Sequence, residues 1–291
     1  MARLEAHLRE RRAAGHKLLV PYITGGLAGW QDAVRAAAAN GADAIEIGLP
    51  FSDPVMDGPV IQVASHRALE SGATPVSILD EARTLDVGIP LTVMTYYNTV
   101  FRMGHERFAE RLVGAGIDGA IVPDLPLEES GEWCAAADAA GVETVMLAAP
   151  TAPDERLPRI CARARGFVYS VGLLGVTGER DQLAATAAAL AVRLTAVTDV
   201  PVLIGVGVSN AAQAKEACRV ADGVVQGASV VRRLMDDGPD AVGDYVAEVR
   251  SAIQQSSSSW NHSVIRASSQ RSHASIRVRP GRSSHCIFSS T

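Results

Sequence analysis

The 291-residue chain is 47% apolar and 20% charged, with aromatics at only 4%, so it can bury one large core of small aliphatic side chains. Its net charge of −5 conceals five arginines and no acid in residues 254–291, which leaves residues 1–253 at −10 and argues against nucleic-acid binding there. No apolar run approaches membrane-spanning length, the acid-containing N-terminus does not read as a signal peptide, and Cys134, Cys161, Cys218 and Cys286 show no CxxC or zinc spacing, as expected for reduced thiols of a cytosolic protein.

An amphipathic stretch around Leu4 and Leu8 opens the chain and is expected to form an extra helix ahead of the first strand. Short β-branched runs then alternate with Ala-rich amphipathic stretches. Strands are expected to begin near Leu18, Ala44, Leu91, Ala120, Glu143, Phe167, Val202 and Gly223. Helical patterns cover 30–40, 106–115, 128–140, 155–164, 182–197 and 210–220. Gly41, Gly116 and Gly141 each close a helix just before a short polar residue leads into the next strand. Strands covered by helices require a parallel sheet, and eight such units predict a (β/α)8 TIM barrel over residues 1–253. The competitor, an open doubly wound sheet, would use Thr24-Gly25-Gly26-Leu27-Ala28-Gly29 as a dinucleotide turn, but no acid follows at the end of a second strand to hold a ribose. After Ile253 the periodicity stops. Residues 254–291 hold thirteen serines and are expected to be a disordered tail outside the fold.

Chemistry enters at Glu46, inside the apolar run Ala44-Ile45-Glu46-Ile47. A carboxylate on the inward face of a strand is costly to keep charged, and burial should raise its pKa. The turn-rich loop that follows returns a second acid, Asp57, and two acids in different environments at one strand end suit acid–base work. Taken alone, Asp57 before Gly58 reads equally as a turn former. The interval from the second strand to the third is the longest, so extra structure is expected beyond that loop, on the face where barrel active sites lie.

Three glycine-bearing segments follow the last three strands: Gly175-Val176-Thr177-Gly178, Gly205-Val206-Gly207 and Gly227-Ala228-Ser229. They can serve tight turns, or present backbone N–H groups to an anion, with a helix starting at Ser229 adding its dipole; three in succession favour phosphate. The only lysines, Lys17 and Lys215, precede the first strand and lie in a helical pattern, so Schiff-base cleavage is not expected. His7, His16, His66 and His105 occupy helix or linker positions, and no ligand set for a metal stands at the strand ends. A phosphorylated substrate and metal-free carboxylate catalysis remain.

The run Glu46-Ile47-Gly48-Leu49-Pro50-Phe51-Ser52-Asp53-Pro54-Val55-Met56-Asp57-Gly58-Pro59-Val60-Ile61-Gln62 closely resembles the signature of the tryptophan synthase α subunit. Pro21-Tyr22-Ile23-Thr24-Gly25-Gly26, Met94-Thr95-Tyr96-Tyr97-Asn98 and Val122-Pro123-Asp124-Leu125-Pro126 extend the resemblance. It implies a barrel that cleaves indole-3-glycerol phosphate to indole and D-glyceraldehyde 3-phosphate. Glu46 and Asp57 then fall on the catalytic carboxylates, Tyr169 on an active-site tyrosine, and Gly178, Gly207, Gly227 and Ala228 on the phosphate cradle. Tyr22, Tyr96 and Tyr169 become pocket walls, although aromatics there read equally as core residues with a hydroxyl partner. Thr177 would hydrogen-bond Asp57 and couple two lid loops. Asp124 reads as loop architecture. The resemblance also implies an α2β2 heterotetramer with a β subunit that holds the pyridoxal phosphate; this chain is expected to carry no cofactor. Gly-Ala-Ser stands here where Gly-Ser-Ala is common, so Ala228 offers no hydroxyl and Ser229 is left as a possible substitute. Two rival readings are another phosphosugar lyase or isomerase and a non-catalytic phosphate-binding barrel.

Overall fold

The structure, a computed structural model, describes residues 3–172, 180–205 and 207–254. The expected tail therefore lies outside the described residues. Eight parallel strands, β1 (Leu18–Thr24), β2 (Ile45–Gly48), β3 (Leu91–Met94), β4 (Gly119–Ile121), β5 (Glu143–Ala148), β6 (Val168–Ser170), β7 (Val202–Ile204) and β8 (Gly223–Gln226), pair in chain order and close β8 onto β1. Each begins within a residue of its expected start.

The helices are α1 (Leu4–Ala13), α2 (Trp30–Ala39), α3 (Pro59–Glu70), α4 (Pro75–Ala82), α5 (Tyr97–Met103), α6 (His105–Gly114), α7 (Gly131–Ala140), α8 (Leu157–Arg163), α9 (Arg180–Thr195), α10 (Ala211–Ala217) and α11 (Ala228–Asp236), followed by a last run, α12, over 239–254. Three boundaries differ from the sequence reading. α7 starts at Gly131 rather than 128, because residues 125–129 are drawn into a turn closed by Glu129 N–H to Pro126 O. α10 ends at Ala217, where Cys218 caps it and the chain turns into β8. α11 starts one residue before the expected Ser229, with Gly227 as its N-cap. The extra structure after β2 consists of α3 and α4.

Two separate apolar clusters follow from strand alternation. Leu18, Val20, Ala44, Ile121, Val145, Phe167, Leu203 and Val225 fill the barrel interior, and Leu4 and Leu8 of α1 close its floor. Leu19, Ile23, Ile45, Ile47, Val93, Val168, Val202 and Val224 point the other way, into the layer shared with the helices. This second face explains why the strands read as unbroken apolar runs: both sides are buried. Gly41, Gly116 and Gly141 all adopt positive φ, the left-handed turn that lets a helix end against the next strand.

The closed end carries a repeated clasp that the sequence did not disclose. Asp43, ahead of β2, accepts the N–H of Leu19 with its side chain and donates its own N–H to the Leu19 carbonyl. Asp118, ahead of β4, does the same with Leu91, and Asp222, ahead of β8, with Val202. Arg11 and Arg250 pair with Asp43, and Arg12 pairs with Asp222, tying α1 and α12 to this end. Lys17 also lies here, its Nζ 2.8 Å from the Ala221 carbonyl.

Candidate active site

Because Ile45 and Ile47 belong to the helix-facing layer, Glu46 between them faces the barrel interior, level with Tyr22 of β1 and Thr92 of β3. It is 1% exposed, and neither carboxylate oxygen has a hydrogen-bond partner among the described residues. Water cannot solvate the charge, so desolvation first, and the nearby Asp57 second, raise its pKa from 4.5 to about 8. Glu46 is therefore mostly a neutral acid at pH 7.

Asp57 lies on the loop between β2 and α3, half-buried. Burial lifts its carboxyl to about 6, against the pull of the Tyr96 hydroxyl. Tyr96, buried at the N-cap of α5, is the peg for this loop. Its hydroxyl accepts the Met56 N–H at 3.0 Å, and its ring stacks on Phe51 with centroids 5.0 Å apart. Gln62 of α3 fixes the other side of Asp57, donating Nε2 to the Asp57 carbonyl at 2.8 Å. Neither Phe51 nor Gln62 stood out in the sequence, because only the folded loop brings them to the acid.

Tyr22 and Tyr169 complete the wall. Burial, then the fields of Asp57 and Glu46, keep the Tyr22 hydroxyl protonated far above its ordinary range; Tyr169 responds to burial, then Glu46, in the same sense. A glycine makes room for each ring. A Cβ at Gly48 would overlap the Tyr22 hydroxyl, and one at Gly205 would overlap the Tyr169 ring. The buried hydroxyls of Thr24 and Thr95, at the same strand ends, have no partner among the described residues.

Opposite Glu46, the turns after β7 and β8 open at the same end of the barrel. Gly207 takes φ 83°, and Gly227 leads directly into the first turn of the nine-residue α11. The Val230 and Val231 amides bond to the Gly227 carbonyl, leaving Ala228 and Ser229 N–H as the first-turn donors without a partner among the described residues. Ala228 is exposed. The Ser229 hydroxyl does not substitute for the missing one at 228: it is bonded to the Tyr245 hydroxyl at 3.1 Å and is nearly buried. Thr177 and Gly178, expected at the lid and the cradle, lie outside the described residues. Asp124 is architectural as expected, accepting the Tyr97 N–H at 2.8 Å and so capping α5.

Among the described residues no cluster of three His, Cys, Asp or Glu side chains could hold a metal ion, and no helix is long and apolar enough to cross a membrane. A buried neutral acid, a half-buried second acid and a ring of aromatics face a cradle of amides.

The sequence profile of one family, described as Tryptophan synthase alpha chain, matches residues 8–258. The chain belongs to the tryptophan synthase alpha chain family. It is 43% identical to the tryptophan synthase alpha chain of Thermobifida fusca over 267 residues, covering 87% of this chain and 98% of that one. With the alpha chain of Streptomyces coelicolor the identity is 46% over 244 residues, 81% and 89% of the two chains. Among solved structures, a tryptophan synthase chain from M. tuberculosis superposes with a TM-score of 0.79 at 33% identity, covering 87% of this chain and 98% of that chain. The alpha chain from Legionella pneumophila str. Paris gives 0.78 at 30%, covering 88% and 99%. As a tryptophan synthase alpha chain, the protein is a lyase of tryptophan biosynthesis, and its reaction is the cleavage of indole-3-glycerol phosphate to indole and D-glyceraldehyde 3-phosphate.

Proposed function

We propose that Glu46 and Asp57 carry this cleavage and that the amides after β7 and β8 hold the substrate phosphate. The observation that supports it best is the pair of acids at one strand end, one held neutral near pH 7 and the other mostly ionised. Glu46 donates its proton to indole C3, which turns the ring into an electron sink. It then takes the proton of the adjacent glycerol hydroxyl as that oxygen becomes the aldehyde. The C3–C1′ bond breaks, its electron pair restores the aromatic ring, and Glu46 ends as it began. Asp57 accepts the indole N–H and balances the positive charge that develops on the ring. Tyr22, Tyr96 and Tyr169 wall the flat substrate, and Gly207, Gly227, Ala228 and the undescribed Gly178 supply backbone donors to the phosphate. Thr177, also undescribed, would reach Asp57 on closure.

All of this chemistry falls within residues 1–253, with 254–291 as an appendage outside the reaction. The partner in this reading is a β subunit in an α2β2 assembly, to which indole passes. Pyridoxal phosphate belongs to that subunit, since Lys17 lies at the closed end and Lys215 within α10, away from the mouth. The setting is the cytoplasm.

The test is indole release from indole-3-glycerol phosphate by the purified chain, with and without a β subunit. Glu46→Gln should lower kcat by at least about a thousandfold while leaving inhibition by glycerol 3-phosphate within about threefold of wild type. Substantial turnover by that variant would refute the role of Glu46, and no indole from the wild-type chain with β would refute the whole reading.

A further inference from the structure

Beneath the first turn of α11 lies a polar knot in an otherwise apolar layer. The Tyr245 hydroxyl, on α12, donates to Ser229 Oγ at 3.1 Å. Arg233, one turn along α11, lays its guanidinium over the Tyr245 ring, 3.7 Å from the centroid, and donates from Nη1 to the Ser229 carbonyl at 2.9 Å. Tyr245 and Ser229 are 2% and 9% exposed, and Tyr245 packs in the strand–helix layer outside the barrel. The buried amide of Gln226, at the end of β8, adjoins the same tyrosine hydroxyl. Four polar side chains thus meet behind the two amides that the phosphate reading depends on.

We propose that Tyr245 is a positioning residue for the phosphate end of the site. By engaging Ser229 Oγ it turns the only side-chain hydroxyl of the Gly227–Ala228–Ser229 turn away from the mouth and fixes the Ala228 and Ser229 N–H groups toward it. The inference rests on the phosphate assignment above and deepens it. Anion recognition at this turn is then made by backbone alone, with its geometry set by a hydroxyl pair on the far side of the helix. A helix N-terminus binds an oxyanion well only when its first amides converge, and a nine-residue helix begun by a glycine at φ −102°, ψ −82° needs an outside hold on its first turn. The Arg233 stack and its bond to the Ser229 carbonyl hold the tyrosine ring and the serine backbone in the same register.

The experiment compares wild type, Tyr245→Phe, Ser229→Ala and the double variant in the full-length chain. It measures indole release from indole-3-glycerol phosphate, the Ki of inorganic phosphate and the melting temperature. Tyr245→Phe keeps the ring and the arginine stack and removes only the hydroxyl. Each single variant should raise KM and the phosphate Ki about three- to tenfold, the span that one neutral hydrogen bond commands, while kcat falls less than twofold. The double variant should be no worse than either single one, because both remove the same bond. Unchanged Ki in both singles overturns the proposal. So does a loss confined to Ser229→Ala, which would mean that the serine meets the ligand directly. A fall in kcat that matches the rise in KM, with a lowered melting temperature, would mark general loosening and also overturn it. If wild type released no indole yet bound phosphate calorimetrically, the catalytic assignment alone would fail, and the same variants would still read the tether through phosphate affinity.

Discussion

At the scale of single residues, two buried glutamates face the barrel interior and only one is catalytic in the proposed scheme. Glu143, at the start of β5, is 2% exposed, and burial raises it to about 7. Its Oε2 accepts the Glu5 N–H at 2.8 Å, so it caps the N-terminus of α1 at the closed end. Glu46 has no such partner and sits at the mouth. Its high pKa has a consequence for stability. The folded protein keeps a proton that the unfolded chain releases between pH 4.5 and about 8, so stability declines as pH rises through that window. The decline due to this group is on the order of 4–5 kcal/mol at full ionisation. Urea unfolding at pH 5 and pH 9 should therefore show wild type losing stability relative to Glu46→Gln at alkaline pH; equal slopes in the two proteins would contradict an unpartnered buried acid. Catalysis should respond to the same groups. The scheme needs Asp57 ionised and Glu46 protonated at the start, so kcat/KM should rise through about pH 6 and fall through about pH 8, as macroscopic values of an interacting pair. A profile with no decline by pH 9.5 would remove Glu46 as the resting acid. Glu46 was legible in the sequence because a charge inside an apolar run has no ordinary explanation. Asp57 was legible only through spacing and resemblance, and the direction of the Ser229 hydroxyl was not, since it depends on a tyrosine on another helix.

Among the elements, the loop from Phe51 to Gly58 is held by one side chain from a neighbouring βα unit. The Tyr96 hydroxyl meets the Met56 amide while Phe51 stacks on its ring. Tyr96→Phe keeps the stack and deletes the acceptor. Global stability should change by less than about 1.5 kcal/mol, because the partly exposed Met56 amide can turn to water. Indole turnover should fall about tenfold, because the loop carrying Asp57 loses its registration. Steady-state kinetics beside a melting curve checks this; full activity would mean that the loop is placed by α3 alone. The strands were legible almost to the residue, since runs such as Leu18–Val20 and Val202–Ile204 leave little alternative to a doubly covered strand. Helices α3, α4 and α5 were not. Tyr97-Asn98-Thr99-Val100-Phe101 is rich in aromatic and β-branched residues and reads against a helix, yet Asp124 caps its first amide and packing decides the rest. Pro59 and Pro75, each at the first turn of its helix, were the available signals in the long interval.

For the whole molecule, the barrel divides into an end that is satisfied and an end that is not. At the floor, Asp43, Asp118, Asp222 and Glu143 all find donors, and Leu4 and Leu8 plug the interior. At the mouth, Glu46, Thr24 and Thr95 keep buried oxygens without partners among the described residues. That is the partition expected when one face supplies stability and the other chemistry. The Leu8 side chain is fully buried, so Leu8→Ala should cost about 2–5 kcal/mol in denaturant unfolding while changing KM by less than about twofold at temperatures where the protein remains folded. A change in KM as large as the loss of stability would show that floor and mouth are mechanically coupled.

The three aspartate clasps join β1 to β2, β3 to β4 and β7 to β8, never β2 to β3 or β4 to β5. In the remaining pair, β5 and β6, an outside group takes over: Glu5 of α1 accepts the Gly166 N–H just ahead of β6. The ring is thus stitched as four two-strand modules, three self-fastened and the fourth fastened by the N-terminal helix. Such periodicity is what tandem duplication of an ancestral βαβα unit would leave behind, with the N-terminal segment recruited to mend the one copy that lost its own stitch.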